Sequence, residues 1–155
     1  MIAVMVKEDS YDIYGVYNIC GDINNGEFNI DNENTIEIDE LIAPTIQVLN
    51  RKDYITYISC AGHPILNKFR ESSDSNSDNS SASYIIFNPE IYLPEAPLPL
   101  GFYTYKKLLH WTNDERIHVR KDYKGDNVYE VMRDIVESMG QLYDWALDLP
   151  NFKSE

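Results

Sequence analysis

Hydrophobic and polar residues follow two different periods along this chain, and the changes of period divide it into elements. The clearest stretch is the last, where Val128, Met132, Ile135, Met139, Leu142, Ala146 and Leu149 recur at alternating steps of four and three. That spacing predicts a long amphipathic helix with one buried stripe, capped by Asp126 or Asn127 and ended by Pro150. Gly140 inside the heptads favours packing on a sheet over a coiled coil. The period falls to two at Arg116-Ile117-His118-Val119-Arg120. This predicts a strand with Ile117 and Val119 toward the core and Arg116, His118 and Arg120 together on the opposite face. Tyr54 to Ser59 is a β-branched and aromatic run, hence a strand, and it stops in the loop Cys60-Ala61-Gly62-His63-Pro64. Tyr84 to Phe87 is a second, compact strand. Ile2 to Val6 and Ile13 to Ile19 are further strand candidates. Asn25-Gly26 is a tight-turn signal that predicts a hairpin pairing roughly 13–20 with 27–31.

Polar breaks and prolines set the boundaries between these elements. Asp31 to Asn34 separates the hairpin from Thr35 to Ile38. Asp39 is the expected N-cap of a helix reaching Asn50, with Leu41, Ile42, Ile46 and Leu49 at helical spacing. Pro44 requires that helix either to start near it or to bend there. Asp53 is expected at a sharp turn from the helix into the strand at Tyr54. The segment 71–83, rich in Ser, Asp and Asn, has little to bury and is expected to be a mobile surface loop. Pro89, Pro94, Pro97 and Pro99 impose an extended crossing. The whole predicts a single α+β domain over residues 1–155: a mixed β-sheet with helices mainly on one face and a long C-terminal helix.

Composition narrows the classes of function. A chain of 155 residues, 43% hydrophobic and 25% charged, has the means to build one core. The longest apolar opening, Ile2 to Val6, is far below the ~18 residues of a membrane span. Two cysteines, Cys20 and Cys60, are too few for a disulfide scaffold, so free thiols and a cytoplasmic location are expected. The net charge of −13 speaks against non-specific nucleic-acid binding and against anionic membranes. The charge is uneven, however. Residues 101–124 hold six basic side chains against three acidic ones, while the remainder holds seven against 23.

The strand-to-loop exit at residues 59–63 is where chemistry is expected, since the sheet fixes the backbone and the loop is free to vary. Cys60 and His63 form a C-x-x-H pair. A zinc site would need two more ligands from Cys20, His110 and His118, and no second paired motif is present. A thiol nucleophile with His63 as base is a further option, but Leu66 stands where a phosphatase loop places arginine. An ordinary packing role for Cys60, with Gly62 in a left-handed turn, is the plain alternative. Anion binding is the functional reading preferred here. Backbone N–H groups of Ser59, Cys60, Ala61, Gly62 and His63 would form a nest, and Arg116, His118 and Arg120 would add side-chain donors to the same group. Those arginines equally suit simple pairing with the abundant carboxylates. Tyr103, Tyr105 and Trp111 in the basic segment suit a nucleobase, and also suit ordinary packing.

From Ile42 to His63 the pattern Ile-Ala-Pro-x-Ile-x-x-Leu-Asn-x5-Thr-x-x-Ser-Cys-x-Gly-His resembles a group of small uncharacterised proteins of bacteriophages and Firmicutes. That group has a proline-containing helix, a strand and a Ser-Cys-x-Gly-His loop, then a strand like Tyr84 to Phe87. Asp53 departs from the glycine usual after the helix. A fainter similarity is to the wybutosine-synthesising methyltransferase family, which carries arginine where this chain has His63; its activity is not carried over. The resemblance implies a phage-type protein and no particular activity. The resulting expectation is a binding protein that holds a small anionic, nucleotide-like ligand and sequesters a host immune signal, with no cofactor and no bound metal. The alternatives are a metal- or thiol-dependent enzyme centred on Cys60 and His63, and an acidic protein that inhibits a host partner. Self-association is left open.

Overall fold

A computed structural model describes residues 2–7, 13–18, 35–64, 81–125 and 127–152, with side chains from Ile38 onward. Strands β1 (Ile2–Lys7), β2 (Ile13–Asn18) and β3 (Thr35–Asp39) form one sheet in the order β2-β1-β3. Helix α1 (Ala43–Arg51) leads into β4 (Thr56–Cys60), and β5 (Ala82–Phe87), β6 (Tyr103–Leu109) and β7 (Asp114–Asp122) complete a second sheet in the order β4-β5-β7-β6. Helix α2 (Val128–Asp148) closes the chain. The architecture is α+β with a long C-terminal helix. Every described strand pair is antiparallel, so the sheets are not mixed as expected. No helix lies between β5, β6 and β7 to return the chain in parallel.

One core joins the inner face of the second sheet to both helices. Ile42 at the N-cap of α1, Ile46 and Leu49 within it, Ile85, Phe87 and Val119 from the strands, and Ile135 and Leu142 from α2 are all buried in it. Asn127 caps α2, its side chain accepting from the Tyr129 N–H at 2.8 Å. Val131 rather than Val128 carries the buried stripe into the first turn, and Val128 stays 40% exposed.

Two boundaries differ from expectation. Asp39 does not cap α1; it ends β3, and its carboxylate accepts the Ala61 N–H at 2.9 Å, a partner 22 residues away. The helix starts instead at Ala43, with Pro44 in its first turn where a missing N–H costs nothing. Asp53 does make the sharp turn, at φ 68°, and Tyr54 follows fully buried. At the other end of the polar segment, Ser81 and Ser83 are buried and Ala82 already opens β5, because the Ser83 hydroxyl donates to the Ala61 carbonyl at 2.6 Å. Residues 65–80 and the second half of the expected 13–31 hairpin lie outside the described residues, and β2 pairs with β1. Among the described residues no helix is long and apolar enough to cross a membrane.

Candidate functional site

Register places the candidate residues in rows across the outer face of the second sheet. Ile58 pairs with Ile86, Ile86 with His118, and His118 with Tyr105. The next row runs Cys60, Tyr84, Arg120 and Tyr103. Because side chains at paired positions share a face, the arginine-bearing strand and the end of β4 present the same side of the sheet. Two strand spacings, about 10 Å, separate the Cα atoms of Cys60 and Arg120.

A wall rises over one end of this face. At the β6–β7 connection the N–H groups of Thr112 and Asn113 both return to the Leu109 carbonyl, and Asn113 takes φ 56°. The connection thereby curls over the sheet, and the Trp111 indole N–H donates to the Tyr57 hydroxyl on β4 at 3.0 Å. A β-bulge between Thr56 and Ile58 releases Tyr57 from the regular pairing. Beneath the curl lies a concavity of about 190 Å³, with Tyr84, Tyr105, Lys107, Trp111, His118 and Arg120 among its lining residues.

His118 is the central group of this floor. It is 5% exposed, its Nε2 has no hydrogen-bond partner among the described residues, and its ring stacks on Tyr105 at 4.8 Å. Tyr105 in turn stacks on Tyr103 at 5.8 Å. Burial first, then the nearby cations of Lys107 and Arg120, push the His118 pKa below its ordinary value, so the ring is neutral at pH 7. The two flanking arginines have partners. Arg116 holds Asp114 at 2.8 Å and lies 4.2 Å over the Tyr57 ring; Arg120 holds Asp122 at 3.0 Å. The Arg116 guanidinium and the Thr112 hydroxyl keep the Asp114 carboxyl below the usual range. Nη1 of Arg116 is buried without a hydrogen-bond partner among the described residues.

The 59–63 loop is built differently. The Ala61 N–H goes to Asp39 and the Gly62 N–H to the Cys60 sulfur at 3.4 Å. Two of the amides expected in the nest are therefore bonded within the protein, one of them to a carboxylate. Gly62 sits at φ 101°, and a Cβ there would come within 3.3 Å of both the Ala82 carbonyl oxygen and the Ser83 Oγ. Cys60 Sγ and His63 Nε2 are 3.7 Å apart. Burial, opposed by the Gly62 N–H and reinforced by Asp39, pushes the Cys60 thiol up to about 11, so it stays protonated at neutral pH. Among the described residues no group of three or more His, Cys, Asp or Glu could hold a metal ion; Cys20 lies outside them.

The structure thus gathers Arg116, His118 and Arg120 on one face and packs Ala61 and Gly62 against β5. Tyr84, Lys107 and the Trp111 turn belong to the concavity too. The signal for Tyr84 is its period-two relation to Ile86; nothing local announces that Trp111 folds back onto β4. Comparison of the chain with protein-family models, with curated proteins and with solved structures finds no match in any of the three.

Proposed function

We propose that the outer sheet face binds a small anionic ligand with a planar group, a nucleotide or a close relative, and holds it without turning it over. The observation that carries this reading is the concavity above His118. Its lining sets the cations of Lys107 and Arg120 beside the rings of Tyr84, Tyr105 and Trp111, within a chain of net charge −13. Aromatic rings beside cations are the chemistry that stacks a base and neutralises a phosphate. At about 190 Å³ the concavity is smaller than the ~300–1,000 Å³ of a drug-sized site. It takes one planar or anionic group and leaves the rest of the ligand on the surface, where Tyr103 and Trp111 are exposed.

In biological terms the protein acts in the cytoplasm as a phage-type sequestering protein, lowering the free concentration of a host immune nucleotide. A thiol protonated up to about 11 gives the Cys60-centred enzyme no corresponding support.

Isothermal titration calorimetry against nucleoside monophosphates, cyclic mono- and dinucleotides and inorganic phosphate tests the proposal. Binding with Kd in the ~10 µM–1 mM range is expected for a site of this size. Lys107→Gln and Arg120→Gln should each weaken it about tenfold. No heat with any ligand, on folded protein, refutes it.

A further inference from the structure

Helix α2 carries a second apolar stripe, on the side away from the core. Tyr129, Met132, Val136, Gly140, Tyr143 and Leu147 recur at steps of three and four, so they share one face of the helix. Tyr129 is 81% exposed, Val136 50% and Leu147 47%, and Met132 and Tyr143 are half-buried. Gly140 stands mid-stripe, exposed, with open space where a Cβ would point. Glycine inside a helix is less stable than alanine, and here neither a positive φ nor a close neighbour in the chain requires it. What it offers is bare backbone, which lets an incoming helix approach to about 8 Å between axes.

The charges flanking the stripe are complementary to themselves. Arg133 lies seven residues before Gly140, and Asp144 and Asp148 lie four and eight after it; all three are exposed. Among the described residues none of the three has an ion-pair partner. Lys52 reaches this end of the helix, but its ammonium donates to the carbonyls of Ala146, Leu147 and Leu149 and not to the carboxylates. Two α2 helices packed antiparallel, stripe on stripe, share a two-fold axis at Gly140 that keeps both charged flanks on one side of the pair. The helical rise then sets Arg133 of one copy between Asp144 and Asp148 of the other, and symmetry makes that contact twice. Val136 comes level with Tyr143 of the other copy, and Met132 with Leu147. Glu137 also comes close to Asp144 of the other copy, a like-charge contact that the neighbouring Arg133 offsets. We propose that α2 is the interface of an antiparallel homodimer whose helices cross at Gly140. Two chains of net charge −13 repel each other, but ~0.15 M salt screens that repulsion beyond about 8 Å and leaves the contacts between the helices to decide. One helix against one helix is at the low end of specific interface sizes, so the expected Kd is about 10–100 µM.

Sedimentation equilibrium of the full chain at about 5–500 µM in ~0.15 M salt tests the proposal. The wild type should move from its monomer mass of 18.0 kDa toward twice that value. Gly140→Gln puts a side chain at the crossing and should weaken the dimer at least ~10-fold, while its urea midpoint stays at or above that of the wild type because the helix gains. Asp144→Lys with Asp148→Lys should also weaken it about tenfold, although the lower net charge would by itself tighten association. Adding Arg133→Glu to that pair reverses both partners and should restore the affinity to within about threefold. Lys106→Glu, exposed on β6, should leave it within about twofold. The proposal is overturned if the wild type stays monomeric throughout, if Gly140→Gln associates as tightly, if the aspartate-to-lysine pair tightens the dimer, or if Arg133→Glu fails to rescue that pair. Helix α2 packs on the inner face of the second sheet and leaves the outer face open, so nucleotide binding is read separately and either proposal can fail alone.

Discussion

Replacing His118 by phenylalanine should make the protein more stable. The substitution keeps a flat ring at a site that is 5% exposed and stacked on Tyr105 at 4.8 Å. It removes Nε2, a buried polar atom without a partner among the described residues, and so recovers part of the ~1–3 kcal/mol that such an atom costs. The slightly larger ring has the adjoining concavity to expand into. A net gain of about 1 kcal/mol is the expectation. With a urea m-value near 2 kcal/mol/M, the unfolding midpoint should rise by roughly 0.5 M. The pH dependence supplies an internal check. The His118 pKa is lower in the folded protein than in the unfolded chain, so the unfolded chain takes up the proton first as pH falls. Stability from this group is intact above the ordinary histidine pKa and is lost as pH drops from there toward the depressed folded value. The variant lacks this loss, so its advantage should widen between pH 7.5 and 5.5. A variant less stable than wild type by more than about 1 kcal/mol, or two stability curves that stay parallel over that range, would refute the reasoning.

Three further outcomes follow from the geometry. Gly62→Ala should destabilise by about 2–4 kcal/mol in the same urea assay, since φ 101° strains any L side chain and the Cβ would crowd Ala82 and Ser83 at 3.3 Å; a change below about 0.5 kcal/mol contradicts it. Lys52→Met removes the ammonium that reaches the end of α2 and should cost about 1–2 kcal/mol, with faster amide exchange confined to its last turn; uniform exchange along the helix would argue against the assignment. Cys60 should react with iodoacetamide at pH 8 about 100-fold more slowly than an unhindered thiol, and Asp39→Asn should speed it by removing a nearby negative charge; peptide mapping that finds Cys60 fully labelled within minutes would contradict the thiol assignment.

What the chain spells out locally, it spells out well. The C-terminal helix, its Asn127 cap, the turn at Asp53 and the strand containing Arg116, His118 and Arg120 all follow from periodicity and cap chemistry within a few residues. Local signals mislead where a distant partner decides the outcome. Asp39 has the side chain of a helix cap, but the amide it serves belongs to Ala61. Ser81 and Ser83 have the composition of a loop, yet burial against the Ala61 and Tyr123 segments draws them into β5 or next to it. The candidate site shows the same division. Period two places Arg116, His118 and Arg120 on one face, whereas the concavity over them depends on a connection curling back until Trp111 meets Tyr57, 54 residues earlier. β6 carries no clear period in the sequence, because Tyr103 to Leu109 sets its tyrosines, lysines and leucines in blocks and lies at the sheet edge, where exposed residues blur the alternation.

The reach of Lys52 to the end of α2 bears on the order in which the chain assembles during synthesis. Its ammonium finds the Ala146 carbonyl across 94 positions, and its own carbonyl accepts the Phe152 N–H at 2.8 Å. The turn between α1 and β4 therefore lacks these partners until residues 146–152 have left the ribosome. Nascent chains stalled before residue 146 should be open to proteases at that turn, and should become resistant together with the C-terminal helix once both have emerged.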